Sequence, residues 1–379
     1  MSLLLNEEQT LLKDYTHSFF GEKLPISALR ALRDGKNETG FDRDLWRQMA
    51  EMGWAGVLLP ETYGGVDFGY KGLGQVLEES GRTLAATPLV STVLLSAPLV
   101  LEVGSDAQKQ NILPAIVSGD LILALALEET PRHTPANTAL HAEADSDGYI
   151  LNGAKTFVLD GHIADQLIVV TRTSGAPGDV DGLSMFLVDG GANGLTRKRT
   201  TLVDSRNAAN LTFNNVRVEP DALLGPVDRA YGALEAVLDG ARIGLAAEML
   251  GSGLEAFKRT IEYLKIREQF GVPIGSFQAL KHRAALMFCE LELTKSTVLE
   301  ALTALDEKRS DVPQLASLAK AKACEMIELV TNEAVQMHGG IGMTDEEEIG
   351  FFMKRARVAQ QTFGDAGFHR DRYATLMGF

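Results

Sequence analysis

The sequence has little cysteine, no long hydrophobic run and no basic leader. Only Cys289 and Cys324 are cysteines among 379 residues, and both are isolated within helical patterns. We therefore expect two buried, unpaired thiols, which suit a reducing cytoplasm. The longest apolar runs, such as residues 121–127, are too short to span a bilayer. The first residues, MSLLLNEEQTLLKDY, show no basic segment followed by an apolar stretch, so we expect no secretory signal.

Positive charge and histidine are also scarce. Lys and Arg total 36 against 51 for Asp and Glu, which gives a formal net charge of −15. The electric field of this negative charge repels nucleic acid and anionic membrane surfaces. None of the seven histidines lies at metal-ligand spacing from another His or from Cys, so we expect no metal site. The glycine-rich phosphate loops, the His-Glu-x-x-His motif and the serine nucleophile elbow are absent as well.

The spacing of apolar residues divides the chain into three blocks. Residues 1–119 repeat apolar side chains near every 3.6 residues, which predicts an N-terminal α-helical domain. Residues 120–226 contain short β-branched and aromatic runs separated by Gly, Asn and Asp, which predict a central antiparallel β-domain. Helical patterns return over 227–379 and predict a C-terminal bundle of the four-helix type. The predicted fold class is therefore multidomain α+β.

Three long helices are predicted in the C-terminal block. Asp228 can cap a helix that runs to about Lys265, and a second helix begins near Ser276 and runs toward Arg309. A third runs from about residue 313 to the glycine pair at 339–340, where a helix end is favoured.

Two stretches in this block have more polar character than a helix connection requires. The first, YLKIREQFGVPIGSFQALKHRAA, holds Arg267, Gln269 and Gln278 around a Gly- and Pro-bearing turn. The turn needs its glycines and proline for backbone reasons alone, but not the arginine and two glutamines. The second, EAVQMHGGIGMTDEEEIG, stops a helix at Gly339-Gly340, which serves as a helix end and also lets a ligand approach the backbone closely.

Arg242 falls in an apolar helical stripe with Leu238, Leu245 and Met249. A guanidinium group in that position needs an anion or a stacking partner. The pattern alone favours a structural salt bridge and leaves a ligand contact open.

Together these features resemble the acyl-CoA dehydrogenase family over essentially the whole chain. The helical, β, helical order fits, and the segments REQFGVPIGSFQ, QMHGGIG, NGAK and LTFNNVRVEPDALLG are similar to its motifs. The resemblance implies a homo- or hetero-tetramer, a dimer of dimers, that binds FAD at a subunit interface. It also implies removal of the α and β hydrogens of an acyl-CoA thioester to give a 2-enoyl-CoA, with an electron-transferring flavoprotein as acceptor.

The resemblance assigns residues on both sides of the cofactor. Arg267 would meet the FAD pyrophosphate, where its planar fork suits phosphate oxygens, and Arg242 would lie beside the substrate thioester. The other cofactor residues that it implies are Leu127, Glu129, Phe157, Leu159, Gln269, Phe270, Gln278, Gln336, Gly339 and Gly340.

The sequence departs from the family pattern at the catalytic base. The family usually carries a glutamate at the position of Phe363, or in some members immediately before its arginine, where this chain has Ala241. Asp365 is the nearest carboxylate, while Glu128 and Glu129 lie in a loop that normally faces the cofactor. That loop, EETPRHTPAN, lacks the usual glycines, and Phe157 and Leu159 replace a Trp and a Thr that usually contact the flavin.

Three interpretations follow from these departures. The chain is an active dehydrogenase with Asp365 as relocated base, or a subunit that shares FAD with a partner chain supplying the glutamate, or an acyl-CoA-binding protein without redox activity. The loss of several flavin-side residues together favours the second. The sequence leaves open the acyl group and the choice between dehydrogenase and oxidase.

Overall fold

The computed structural model describes residues 5–379 and confirms the helical, β, helical order. Asn6 and Gln9 form a capping box at the first helix, and Ser105 and Gln108 form another at the sixth. A π-helical turn, Leu89–Ser96, leads directly into the fifth helix. The helices of this part are α1 (Glu7–Lys23), α2 (Ile26–Asp34), α3 (Arg43–Glu51), α4 (Gly69–Arg82), α5 (Ala97–Val103) and α6 (Asp106–Val117).

The central strands form one sheet in the order β6-β7-β3-β2-β4-β5-β8, with β1 beside β4. Most neighbours are antiparallel, as predicted, but β1 pairs with β4 in parallel and a single parallel pairing joins β2 to β4. Leu151, Leu167, Phe186 and Phe213 belong to its buried face. The strands are β1 (Leu123–Ala126), β2 (His141–Asp145), β3 (Gly148–Leu159), β4 (Gln166–Arg172), β5 (Leu183–Asp189), β6 (Leu195–Thr201), β7 (Asn207–Val218) and β8 (Leu223–Leu224).

The C-terminal part holds the three long helices that the sequence predicts. They are followed by two shorter helices, and a small hairpin separates the first two. The prediction that Asp228 caps the first of them is wrong: that helix begins three residues later, and the Asp228 carboxylate instead accepts hydrogen bonds from Thr173 and Ser174. The elements are α7 (Tyr231–Ile266), β9 (Glu268–Gln269), β10 (Val272–Pro273), α8 (Gln278–Asp306), α9 (Val312–His338), α10 (Ile349–Gln361) and α11 (Ala366–Leu376).

The chain groups into two compact units. One comprises the chain up to Gly35, Tyr70–Ala85 and Arg242–Phe379, and the other comprises Lys36–Gly69 and Ala86–Ala241. The three domain boundaries predicted from the sequence stay predictions. Across residues 5–379 no helix is both long enough and apolar enough to cross a membrane.

Glycine at position 251 allows α4 and α7 to touch through their backbones. A Cβ atom on Gly251 would lie 1.8 Å from the Glu78 carbonyl oxygen, and one on Gly81 would lie 2.1 Å from that of Glu248. Gly251→Ala is therefore expected to force the helices apart and to lower the free energy of unfolding by about 3 kcal/mol.

Urea unfolding checks this prediction, with Gly232→Ala as control. Gly232 lies on the same helix, and a Cβ atom there meets no atom within 4 Å. That change is expected to raise the free energy of unfolding by about 0.5 kcal/mol, because alanine favours helix more than glycine does. Equal effects of the two substitutions would contradict the close helix contact.

Candidate functional site

The connection from the end of α7 to the first residue of α8 presents four of the predicted cofactor residues to solvent. Arg267, Gln269, Phe270 and Gln278 are all exposed, and Phe270 is 92% exposed with a left-handed backbone, φ +58°. Gln269 is paired through its backbone with Val272 across the hairpin. A guanidinium group and two amides on one short, ordered segment form an accessible surface for a polar, anionic ligand.

The end of α9 forms an open backbone surface. Gly339 has φ +65°, and a Cβ atom built on Gly339 or Gly340 meets no atom within 4 Å. Gln336 is exposed one turn earlier, whereas His338 is buried, bonds the Ala334 carbonyl oxygen through Nδ1 at 2.7 Å and stacks on Tyr263. The exposed glycine backbone leaves room for a ligand to lie directly against it.

The segment after these glycines is fixed by ion pairs to two helices. Asp345 binds Arg33 through two hydrogen bonds, 2.6 and 2.7 Å, and Arg30 at 2.7 Å. Hydrogen bonding from Arg33 lowers the pKa of Asp345 to about 2. Arg259 of α7 binds Glu348 at 2.7 Å. The glycine turn is therefore held from both α2 and α7.

The loop between α10 and α11 occupies the position where the family resemblance places a base. Phe363 is buried with φ +60°, and Gly364 follows with φ +100°. Asp365 is exposed and is the N-cap of α11, accepting a hydrogen bond from the Phe368 N–H at 2.8 Å. Ala241, at the alternative family position, is fully buried. Both positions that usually carry a glutamate are thus apolar and enclosed.

Arg242 lies next to this loop within the same unit. Its side chain is fully buried, as are those of Leu238 and Leu245 in the stripe that the sequence revealed. The guanidinium carbon lies 5.7 Å from the centre of the Phe368 ring, within cation–π range.

In the other unit, Glu129 and Leu127 organise the loop between β1 and β2. The Glu129 carboxylate accepts hydrogen bonds from the N–H groups of Ala139 and Leu140, at 2.8 and 2.9 Å, and from Lys155 Nζ at 2.8 Å. Lys155 also donates to the Leu127 carbonyl oxygen at 2.9 Å, and burial lowers its pKa to about 8. Glu129 therefore fixes the loop backbone through its own hydrogen bonds.

Phe157 and Leu159 lie at an irregularity in β3. The pairing of β3 with β7 shifts register between Lys155 and Val158, and Phe157 has φ +54°. The Phe157 N–H donates to Asn210 Oδ1 at 3.3 Å, and the Phe157 and Leu159 side chains are half-buried. A bulge of this kind re-aims side chains, but here it presents an aromatic ring and an aliphatic group rather than a hydrogen-bond donor.

The adjacent Glu128 is paired with histidine. His133 Nδ1 lies 2.5 Å from Glu128 Oε1, and the imidazole is buried. The pair stabilises the polar loop EETPRHTPAN, which lacks the family's glycines. Among residues 5–379 no group of His, Cys, Asp and Glu side chains is arranged to hold a metal ion.

Three family models together match most of the chain. Their descriptions are "Acyl-CoA dehydrogenase, N-terminal domain" over residues 6–120, "middle domain" over 128–216 and "C-terminal domain" over 231–377. The short-chain-specific acyl-CoA dehydrogenase of Megasphaera elsdenii is 31% identical over 94% of each chain. The chain belongs to the acyl-CoA dehydrogenase family.

Solved structures agree with this fold over nearly the full length. One, described as a variant of the Tcur3481-Tcur3483 steroid ACAD, is 34% identical over 98% of each chain with a TM-score of 0.88. Another, the ChsE4-ChsE5 complex from Mycobacterium tuberculosis, is 26% identical over 100% of each chain with a TM-score of 0.89.

A buried lysine on α9 of this acyl-CoA dehydrogenase family member was not predicted from the sequence. Lys320 Nζ donates to three carbonyl oxygens around the α10–α11 loop, at 2.9 to 3.2 Å, and lies 3.4 Å from Cys324 Sγ. Burial lowers the pKa of Lys320 and raises that of the Cys324 thiol. The available signal was a lysine within the apolar stripe of Ala316, Ala319 and Ala323, the same signal that identified Arg242.

Proposed function

We propose that the chain is a subunit of a flavin-dependent acyl-CoA dehydrogenase that removes the α and β hydrogens of an acyl-CoA thioester. The observation that carries this proposal is the combination, in one unit, of exposed Arg267 and the open glycine backbone at 339–340. FAD, when bound, supplies the acceptor for the hydride that leaves the β carbon.

The residues present fit the adenosine diphosphate part of FAD. Arg267 offers a planar cation to two phosphate groups, and Gln269, Gln278 and Gln336 offer amide donors and acceptors. The Gly339 and Gly340 backbone accepts a flat ligand at contact distance. The Phe157 and Leu159 side chains, which the resemblance assigns to the flavin, are apolar and offer no hydrogen bond.

Arg242 is the residue we assign to the substrate pocket. Its buried guanidinium group beside the Phe368 ring, in a fold shared with acyl-CoA dehydrogenases, supports a position next to the thioester. Its positive charge stabilises negative charge that develops on the thioester oxygen when the α proton leaves.

We further propose that the proton acceptor is a glutamate of a partner chain of the same family. Phe363 and Ala241 are buried and cannot accept a proton, and the Asp365 carboxylate caps α11. Two similar structures carry paired names, Tcur3481-Tcur3483 and ChsE4-ChsE5, which supports a heteromeric assembly here. In the tetramer we propose, an electron-transferring flavoprotein receives the electrons in the cytoplasm.

The visible spectrum tests the proposal. The chain co-purified with a partner chain is expected to show flavin absorbance that an acyl-CoA bleaches without oxygen. Arg267→Gln is expected to lower the affinity for FAD by about ten- to a hundredfold, because a charge-assisted hydrogen bond contributes roughly 1.5–3 kcal/mol. Lys265→Gln, on an exposed residue in the last turn of α7 two positions earlier, is the control.

Three outcomes count against the proposal. A protein that never acquires flavin, alone or with a partner, would contradict the cofactor assignment. Flavin that no acyl-CoA reduces would contradict the dehydrogenase assignment. Full activity of the chain alone, with no second chain present, would contradict the partner's role as the source of the base.

A further inference from the structure

The end of α10 is capped by a side chain from a different helix. Lys320 on α9 is fully buried, and its Nζ donates to the carbonyl oxygens of Ala359 at 3.0 Å, Gln360 at 3.2 Å and Gly364 at 2.9 Å. The last carbonyl groups of a helix have no partners within the helix, and they form the negative end of its dipole. The three hydrogens of the ammonium group match these two helix-end acceptors, Ala359 and Gln360, and the loop carbonyl oxygen of Gly364.

The loop that follows requires this support because its backbone is strained. Phe363 has φ +60°, a left-handed conformation that is unfavourable for a bulky residue. The Phe363 carbonyl oxygen accepts a hydrogen bond from His369 Nε2 at 3.0 Å, and the next carbonyl is bound by Lys320. Strained residues persist where surrounding contacts determine the conformation, and they occur frequently at functional sites.

The loop is connected to the substrate pocket that we assign to Arg242. A Cβ atom on Gly364 would lie 2.4 Å from the Phe368 ring, so the two residues are in close contact. The Phe368 ring in turn faces Arg242 at 5.7 Å. A shift of the Gly364 carbonyl group would therefore move the ring that packs beside the guanidinium group.

We propose that Lys320 is a positioning residue for acyl-CoA binding, because its ammonium group holds the Phe363–Gly364 backbone and thereby sets the place of Phe368 beside Arg242. The structural part of this inference concerns the loop alone, and the part about acyl-CoA rests on the proposed function.

Hydrogen exchange followed by mass spectrometry tests the structural part without any substrate. In the full-length protein as purified, Lys320→Met is expected to speed amide exchange in peptides covering residues 362–369 by about tenfold, because a charge-assisted hydrogen bond is lost. Exchange in β3 and β7 is expected to stay unchanged. Lys322→Met is the matched control, since Lys322 lies on the same helix but binds Glu290 near the surface. Unchanged exchange in the loop would overturn the inference.

Titration and steady-state kinetics test the link to acyl-CoA. Lys320→Met is expected to raise KM for acyl-CoA about tenfold while kcat changes by less than about threefold, because substrate placement rather than chemistry is affected. FAD content is expected to match wild type. Equal losses in kcat and FAD content, without a change in KM, would indicate a purely structural role and overturn the positioning role.

A second variant keeps the test decisive if Lys320→Met does not fold. Lys320→Gln retains N–H donors without a buried charge, so intermediate exchange and an intermediate KM are expected. Wild-type exchange and KM in Lys320→Gln would overturn the proposal. If wild-type protein itself responds to no acyl-CoA, the proposed function fails, whereas the exchange comparison still decides whether Lys320 fixes the loop.

Discussion

Asp365→Asn is expected to leave the rate of flavin reduction within about twofold of wild type, whereas changing the proposed glutamate of the partner chain to Gln lowers it by about 10²–10⁴-fold. The Asp365 carboxylate accepts the Phe368 N–H at 2.8 Å as the N-cap of α11. Asparagine caps a helix about as well as aspartate but cannot accept a proton as a base. The substitution therefore separates the structural role of Asp365 from the catalytic one.

Anaerobic stopped-flow reduction by an acyl-CoA measures both rates in the assembled protein. Asp365→Ala serves as the structural control, because it removes the cap and is expected to lower the free energy of unfolding by about 1 kcal/mol. If Asp365→Asn instead reduced the rate more than about a hundredfold with unchanged stability, Asp365 would be the base and the partner glutamate would not be required.

The burial of Phe363 also supports the expectation that this loop does not supply the base. The residue is 8% exposed, and its backbone has φ +60°. The loop therefore combines a strained geometry with a side chain that cannot accept a proton. A strained backbone without the catalytic group is consistent with a pocket whose shape still matters for ligand binding.

Periodicity predicted the long elements of this fold well. The pattern around Leu238, Arg242 and Leu245 predicted a helix, and the structure buries all three side chains on α7. The pattern was readable because apolar residues recur at helical spacing over a long stretch, although the structure buries every residue from 237 to 253 and not one face alone. Two polar segments also stood out in the sequence, because Arg267 and the Gly339-Gly340 pair exceed what a helix connection needs. Their assignment to FAD stays a prediction.

Sequence patterns could not predict the contacts that depend on distant segments. The parallel pairing of β1 with β4 joins Leu123 to Gln166 and depends on the path of the intervening chain. Likewise, Lys320 is only a lysine in an alanine-rich stripe until α9 and α10 are packed together and its three carbonyl acceptors are in place. The failed Asp228 cap has the same origin, since Thr173 and Ser174 compete for its carboxylate through the fold.

For Glu129, the sequence predicted the loop in which the residue lies but not the groups that its carboxylate binds. The sequence placed it in a cofactor-facing loop by resemblance. The structure adds that its carboxylate binds two backbone N–H groups and the buried Lys155 ammonium. Any role toward the cofactor therefore acts together with its role in fixing the loop.

Lys155→Met is expected to be among the most destabilising substitutions in the β-sheet unit, because it leaves the Glu129 carboxylate without its cation. Removing one partner of a buried ion pair costs roughly 3–5 kcal/mol. The Lys155 side chain is fully buried, and Glu129 is 15% exposed, so solvent replaces little of the lost interaction. Loss of the pair is also expected to release the loop at residues 128–140 from β3.

The destabilisation caused by Lys155→Met is expected to grow as the pH rises. Burial lowers the pKa of Lys155 from 10.5 to about 8, so between these values the unfolded chain binds more protons at this site than the folded chain. The contribution of Lys155 to the free energy of unfolding therefore rises with pH across that window. The stability difference between wild type and Lys155→Met is expected to change in favour of wild type by about 3 kcal/mol from roughly pH 7.5 to 10.5.

Urea unfolding at a series of pH values measures this difference, with Lys198→Met as control. Lys198 is exposed on the edge strand β6 of the same unit, and its removal is expected to change stability by less than about 0.5 kcal/mol at every pH. A difference between wild type and Lys155→Met that narrows as pH rises would show that Lys155 stays charged in the folded protein throughout. The ion pair with Glu129 would then outweigh the cost of burying the ammonium group.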